Sequence, residues 1–356
     1  NGVYGNYTVA GGGILNVSNA VMYGTVTVGN GGVLNANGAL MNGVLTVASG
    51  GLVNAIGGGG TINSGGSLTV TAGGTINVSG SDFTLYGPLN NAGTINVSNP
   101  PPAFRAVIWS YNDGSASYRG GIINQASGLI NLGSDSTYLS TYGGGHEYIV
   151  NQGTIIKSAG TNLSAVVATF VTNSGAIIAK SGVIGMGYYG PASLQPGSSL
   201  NVVLYNATNY TKILFQGPAP LGGALNVTLA NGYVPTNGTS FNVVSYGSFT
   251  GNFTSLGLPA AVSWQSNYGS TNFSLVAGSG LPQFGIVNLS GTNLIFNGTG
   301  GLAGSNYVML ASTNLALPLT NWTALATNIF GGSGQFHYTN PVSPAKPRQF
   351  FIFKRP

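Results

Sequence analysis

His146 and Glu147, in GGGHEY at 143–148, form the chain's one adjacent imidazole–carboxylate pair. The pair is how a zinc-peptidase helix motif begins, but that chemistry needs a second histidine three residues beyond the glutamate. Val150 stands there instead. Glycoside hydrolysis needs two carboxylates across a cleft, and the chain holds just four acids, Asp82, Asp113, Asp135 and Glu147. No acidic cluster suggests the calcium site of a polysaccharide lyase. No serine sits in a GxSxG elbow, and the SGGS and GGGG stretches are not followed by the GK[ST] of a phosphate loop. With no cysteine, thiolate metal sites and disulfides are excluded. We therefore expect no catalytic residue, no metal site and no cofactor, and a protein that is not an enzyme.

One segment nonetheless concentrates chemistry. Between 104 and 148 lie Phe104, Arg105, Trp109, Tyr111, Asp113, Tyr118, Arg119, Asp135, Tyr138, Tyr142, His146, Glu147 and Tyr148. Aromatic rings beside a few charges suit contact with sugars or with a protein partner. The candidate contact residues are Arg105, Trp109, Tyr111, Asp113, Tyr118, Arg119, His146 and Glu147. The competing explanation is an insertion that shields a flank of the fold.

What would position them is legible in a repeated phrase. YTVAGGGILN at 7–16 returns as VTVGNGGVLN at 26–35, LTVASGGLVN at 45–54 and LTVTAGGTIN at 68–77. Apolar residues flank a threonine each time, as in Val26-Thr27-Val28, which predicts a strand with one buried face. A glycine pair follows and reads as a corner. A second short strand then places Leu15, Leu34, Val53 or Ile76 inward and is closed by Asn16, Asn35, Asn54 or Asn77. The spacer AVMYG at 20–24 recurs as ALMNG at 39–43, a third side. Three strands and their corners in 19 residues describe one rung of a β-solenoid. Stacked rungs would align asparagines into hydrogen-bonded columns. Such a framework suits a chain with 60 glycines and 4% charged residues.

The beat loosens at NNAGTINVSN (90–99), NQASGLINLG (124–133), NQGTIIKSAG (151–160) and TNSGAIIAKSG (172–182). Its widest gap, 35 residues from Gly93 to Gly128, predicts an inserted loop in that rung. About nine to eleven rungs are expected over 1–190. These NxGxI kernels and glycine–asparagine corners resemble the right-handed parallel β-helix of filamentous-haemagglutinin and autotransporter-type bacterial surface proteins. The stretch 194–268, with LGGALNVTLANGYVPTNGTSFNVV, is similar to the segment that closes such helices. The resemblance covers 1–280 and speaks to architecture, not to an activity.

After GSGLPQF (278–284), six short alternating stretches predict a small immunoglobulin-like sandwich. It resembles C-terminal modules of large secreted bacterial proteins, which are associated with export or display. Trp322 is expected in its core, with a ligand role as the lesser alternative, and Lys354 and Arg355 read either as a solvated end or as a recognition tail. The expected fold is thus all-β: a parallel β-helix (1–190), a β-rich closing segment (191–280) and a β-sandwich (281–356).

No run of 18 apolar residues predicts a membrane span. Nine Lys and Arg are too dispersed for a nucleic-acid footprint. Fourteen Asn-x-Ser/Thr sequons make Asn6, Asn16, Asn77, Asn96, Asn206, Asn209 and Asn226 candidate glycosylation sites. The start at Asn1 fits a processed chain or a fragment. Because the phrase begins only six residues in, Tyr7, Thr8 and Val9 read as an open assembly edge. These features point to a secreted or cell-surface structural protein, an adhesin or a fibre subunit that polymerises head to tail. The alternative is a β-helix that binds or cleaves polysaccharide through the 104–148 insertion. Ice binding fits poorly, since the threonine column is single.

Overall fold

The computed structural model describes residues 2–188, 190–260, 262–278, 282–301, 304–332, 334–346 and 348–354. Arg355 lies outside them. The chain folds as a parallel β-solenoid of about ten turns, followed by antiparallel sheets. Thirteen-, nine- and eleven-stranded sheets form its three faces, and the chain visits them in rotation. The repeated phrase stacks in register on itself: Val9, Val28, Val47 and Val70 face one another in one column, and Thr8, Thr27, Thr46 and Thr69 in the next. Val28, Val47 and Val70 are fully buried. Each contributes roughly 1.5–3 kcal/mol by leaving water.

The glycine pair makes the corner by two different means. Gly31 and Gly50 adopt φ of 73° and 72°, which a Cβ disfavours. Gly32 and Gly51 have ordinary backbone angles but pass so close to the carbonyls of Val9 and Val28 that a Cβ would collide with them. The following strand is longer than expected. Asn16, Asn35, Asn54 and Asn77 do not close it; it continues two residues further, as in Leu52–Ile56 and Thr75–Ser79. The asparagines point outward, mid-strand, and build a ladder. Each Nδ2 donates to the Oδ1 of the preceding rung, from Asn35 on Asn16 (2.8 Å) to Asn96 on Asn77 (3.0 Å) and Asn131 on Asn96 (3.2 Å).

A second asparagine ladder runs inside. Continuing the column after Val70 are Asn91, Asn124, Asn151 and Asn173, all buried. Asn91 donates to Asn124 (2.7 Å), Asn124 to Asn151 (2.7 Å) and Asn151 to Asn173 (2.6 Å). Their amides also reach the carbonyls of Gly128, Gly153 and Gly175 at the corner. Amides can occupy the interior because they are bonded both along the stack and to the turn.

Parallel pairing does not stop at residue 190. Ser199–Leu204, Ala224–Leu229 and Ser255–Gly257 extend the eleven-stranded sheet. The stack is then closed by antiparallel strands: Asn272–Gly278 pairs with Ser240–Ser245, and Ser263–Tyr268 with Asn272–Gly278. Beyond them, six strands form two three-stranded antiparallel sheets. Their shared core is Phe296, Tyr307, Met309, Phe330 and Phe336. Trp322, expected there, is instead half-buried outside it, at the end of the short 3-10 turn Leu319–Asn321, donating its indole N–H to the Leu317 carbonyl.

Three substitutions separate apolar columns from amide ladders. Val28→Asp sets an uncompensated charge in the stack and should cost about 3–5 kcal/mol; a thermal midpoint equal to wild type would refute the inward assignment. Asn124→Ala strips partners from two buried amides and should cost about 2–3 kcal/mol, whereas Asn54→Ala on the outer ladder should cost about 1 kcal/mol or less. Urea midpoints of the two variants measure the difference.

Candidate functional site

The insertion is not one loop but several excursions from consecutive rungs. Residues 99–105 leave before the strand Ala106–Ser110, residues 111–120 follow it, and residues 142–147 leave the next rung after Thr137–Thr141. The 111–120 excursion closes on itself: Asn112 and Arg119 form an antiparallel bridge, and Gly120 N–H donates to the Tyr111 carbonyl at 2.9 Å. Arg119 N–H donates to the Tyr86 carbonyl at 2.8 Å. The loop thereby lays Tyr118 against Tyr86 and Tyr111, with ring centroids 5.4 and 5.2 Å apart, edge to face.

The result is a cleft of about 530 Å³ lined by Asn63, Tyr86, Tyr111, Tyr118 and Tyr142. Burial, and then the neighbouring phenols of Tyr142, Tyr118 and Tyr111, push the Tyr86 hydroxyl above its usual range. It therefore stays a neutral donor and acceptor at physiological pH. Trp109 forms the flank. Tyr142 stacks on its ring at 4.6 Å and 16°, and the Arg105 guanidinium stands 5.4 Å from its centroid. Arg105 is also ion-paired with Asp82 at 2.9 Å. A neighbouring depression of about 300 Å³ has Arg105, Trp109 and Tyr138 along one side.

The sequence-derived contact residues divide accordingly. Tyr111 and Tyr118 line the cleft, and Trp109 and Arg105 buttress it. Asp113, Arg119 and His146 are exposed on the loops. Asp113 accepts from Ser115 N–H at 2.9 Å, and hydrogen bonds from Ser115 hold its carboxyl below the usual carboxylate range. Glu147 corrects the expectation: it is fully buried and reaches no surface. Its carboxylate accepts from the backbone N–H groups of Gly144 and Gly145 (3.0 Å to the latter), from Thr169 Oγ1 (2.9 Å) and from Asn112 N–H (3.5 Å). Burial alone would raise its pKa. Hydrogen bonds from Thr141, Gly144 and Thr169 outweigh that and hold the carboxyl below its usual value. Glu147 is thus the brace between the loops that carry Tyr111, Tyr118 and Tyr142.

Tyr86 and Asn63 belong to the cleft yet lie before the insertion. The signal that finds them is the spacer: VMYG at 21–24, LMNG at 40–43, TINSG at 61–65 and TLYG at 84–87 put Tyr23, Asn42, Asn63 and Tyr86 at one corner of successive rungs.

Tyr7, Thr8 and Val9 form an outermost strand of the nine-stranded sheet, paired with Thr25–Val28 on one flank. Asn16, Asn77 and Asn96 are ladder rungs, and Asn226 donates to Asn201 at 3.0 Å. Asn6 is exposed while its Oδ1 accepts from Thr25 N–H. Asn206 and Asn209 stand exposed in a loop. Among the described residues no group of three or more His, Asp or Glu is placed to hold a metal ion. No described helix is long and apolar enough to cross a membrane.

No protein-family model matches the chain, and no curated protein matches it. Among solved structures it is similar to the TibC-catalyzed hyper-glycosylated TibA55-350 fragment, at 16% identity over 72% of this chain and 95% of that one, with a TM-score of 0.22.

The Glu147 brace has a pH signature. A carboxyl held below its unfolded value of about 4.3 stabilises the loops above that pH and loses the contribution as pH falls through its lower folded value. The protection factors of the Gly144 and Gly145 amides, their exchange rates relative to an unstructured chain at the same pH, should therefore fall in acid. In Glu147→Gln protection should be low at neutral pH already, with the acid step gone; an acid step that persists in the variant would remove Glu147 from this role.

Proposed function

We propose that this protein is a secreted or cell-surface β-solenoid scaffold of adhesive type that binds neutral polysaccharide, without cleaving it, in the Tyr86–Tyr111–Tyr118–Tyr142 cleft. The observation that carries this reading is the cleft itself. Four tyrosines and an asparagine amide, drawn from separate rungs and one loop, surround a space with no charged side chain in its lining. Aromatic rings supply large, rigid apolar area at low entropic cost, and their hydroxyls supply both donors and acceptors. That combination matches sugar rings, whose faces are apolar and whose rims are hydroxylated.

The absence of cleavage is supported by how the four carboxylates are engaged. Asp82 pairs with Arg105, Asp135 with Lys157, Glu147 braces loops, and Asp113 caps its own turn. End-to-end assembly through Tyr7, Thr8 and Val9 is the second part of the proposal. Its support is that rungs on this face stack in register, Tyr7 on Val26 and Val26 on Leu45, a geometry that a further copy would continue. Light scattering that finds strict monomers at high concentration overturns that part alone. The sandwich that follows the solenoid is proposed as an immunoglobulin-like display module.

Tyr111→Ala and Tyr118→Ala should each reduce retention on a β-glucan affinity column about tenfold or more. Far-UV circular dichroism and thermal midpoint should be unchanged, since neither ring belongs to the solenoid core. Trp109→Ala should weaken retention less, its ring being already stacked under Tyr142. Equal retention of all three variants and wild type would refute the cleft as the site.

A further inference from the structure

The cleft is one end of a longer feature. Backbone hydrogen bonds from Asn42 to Met22, Asn63 to Met41, Tyr86 to Ile62, Tyr111 to Leu85 and Tyr142 to Ser110 fix these residues at the same corner of successive rungs. Tyr4 and Tyr23, paired in register on the first two rungs, continue the column away from the cleft. It therefore reads Tyr4, Tyr23, Asn42, Asn63, Tyr86, Tyr111, Tyr142, without a charge or an aliphatic residue.

The side chains are ordered along it. Tyr4 and Tyr23 stack with centroids 4.6 Å apart and planes 2° from parallel, and Asn63 Nδ2 donates to Asn42 Oδ1 at 2.5 Å. None is fully buried, and Tyr4 is 72% exposed. Interior columns of this solenoid are kept by burial and the outer Asn16–Asn131 column by an unbroken amide ladder. This corner has neither. It carries two tyrosines, then two asparagines, then three tyrosines, and its polar edges face water.

Resting on the glycan reading above, we infer that the column is a track: the ligand is a long, neutral, extended β-linked glucan lying parallel to the solenoid axis, with the tyrosine cleft as its tightest subsite. Rungs repeat at about 4.8 Å, and an end-to-end linked pyranose is about as long as a rung is tall. Successive sugars therefore meet successive rungs: rings in the cleft, an amide pair at Asn63 and Asn42, and phenols again at Tyr23 and Tyr4. A rigid row of weak subsites gains affinity through effective concentration, not through any single strong contact.

The test is a length series. Wild-type protein is titrated calorimetrically with cello-oligosaccharides from disaccharide to hexasaccharide, beside Asn42→Ala, Tyr23→Ala and Tyr111→Ala. The hexasaccharide should bind wild type roughly tenfold or more tighter than the disaccharide. Tyr23→Ala should remove much of that gain and leave disaccharide binding unchanged. Asn42→Ala should remove most of it while also weakening the disaccharide slightly through Asn63, which it holds in the cleft, and Tyr111→Ala should weaken every length. Unaltered thermal midpoints establish that the variants are folded, and Asn42→Gln, which keeps the amide, should restore part of the gain. Affinity that does not rise with length, or a rise that survives Asn42→Ala and Tyr23→Ala, overturns the track and leaves the cleft standing. Failure of wild type to bind any member of the series overturns both.

Discussion

Everything in this structure depends on parallel strands of successive rungs pairing without a slip. A register shift of one residue would turn every inward side chain of a strand outward, and in a solenoid the error would pass to each rung above. The repeated phrase prevents it by placing like on like. Valine meets valine, threonine meets threonine, and the glycine pair meets the glycine pair, so a slipped rung would set a Cβ where a carbonyl passes. Stability is then close to a sum over neighbouring rungs, and a chain almost without ion pairs can hold together.

The rungs that bear the cleft are also those where the phrase has decayed. Excursions at 99–105, 111–120 and 142–147 break the beat, and here the inward valine column gives way to Asn91, Asn124, Asn151 and Asn173. An apolar column is indifferent to small axial shifts. An amide ladder tied to corner carbonyls is directional, and it specifies one position for each rung. The interior asparagines therefore supply the register that the broken repeat no longer enforces. Lys157 does the same on another face. Its stem stands in an inward column between Leu132 and Ala179, and its ammonium, also buried, binds Asp135 and the carbonyls of Ser134 and Ala159. Asp135 in turn accepts from Thr161 and Asn162, so one buried cation fastens two loops.

Much of the architecture was legible because a repeat turns local pattern into long-range contact: knowing that Val28 follows Val9 by one rung is knowing that they touch. What escaped was whatever departs from local pattern. Asn151 and Asn54 look alike in sequence, each closing a short apolar run near a glycine, yet one faces in and the other out. Strand parity relative to the corner decides it, and the asparagine type does not. Glu147 looked like a surface acid because it lies in a glycine-rich loop beside an exposed histidine; its burial follows from the backbone N–H groups that converge on it. The cleft was half visible, since Tyr111 and Tyr118 lie in the conspicuous insertion. Tyr86 and Asn63 enter from rungs 25 and more residues away from Tyr111, where only stacking brings them near.

The orientation of the hydrogen bonds gives the solenoid a mechanical character. Rung-to-rung bonds run along the axis, so tension between the two ends loads them one rung at a time, in the peeling direction, and not all together in shear. The terminal rung yields first while the rest stay folded, and a 19-residue rung drawn straight adds roughly 60 Å of slack. A molecule built this way lengthens under a pull in steps, each dissipating work, and shortens again when the pull relaxes.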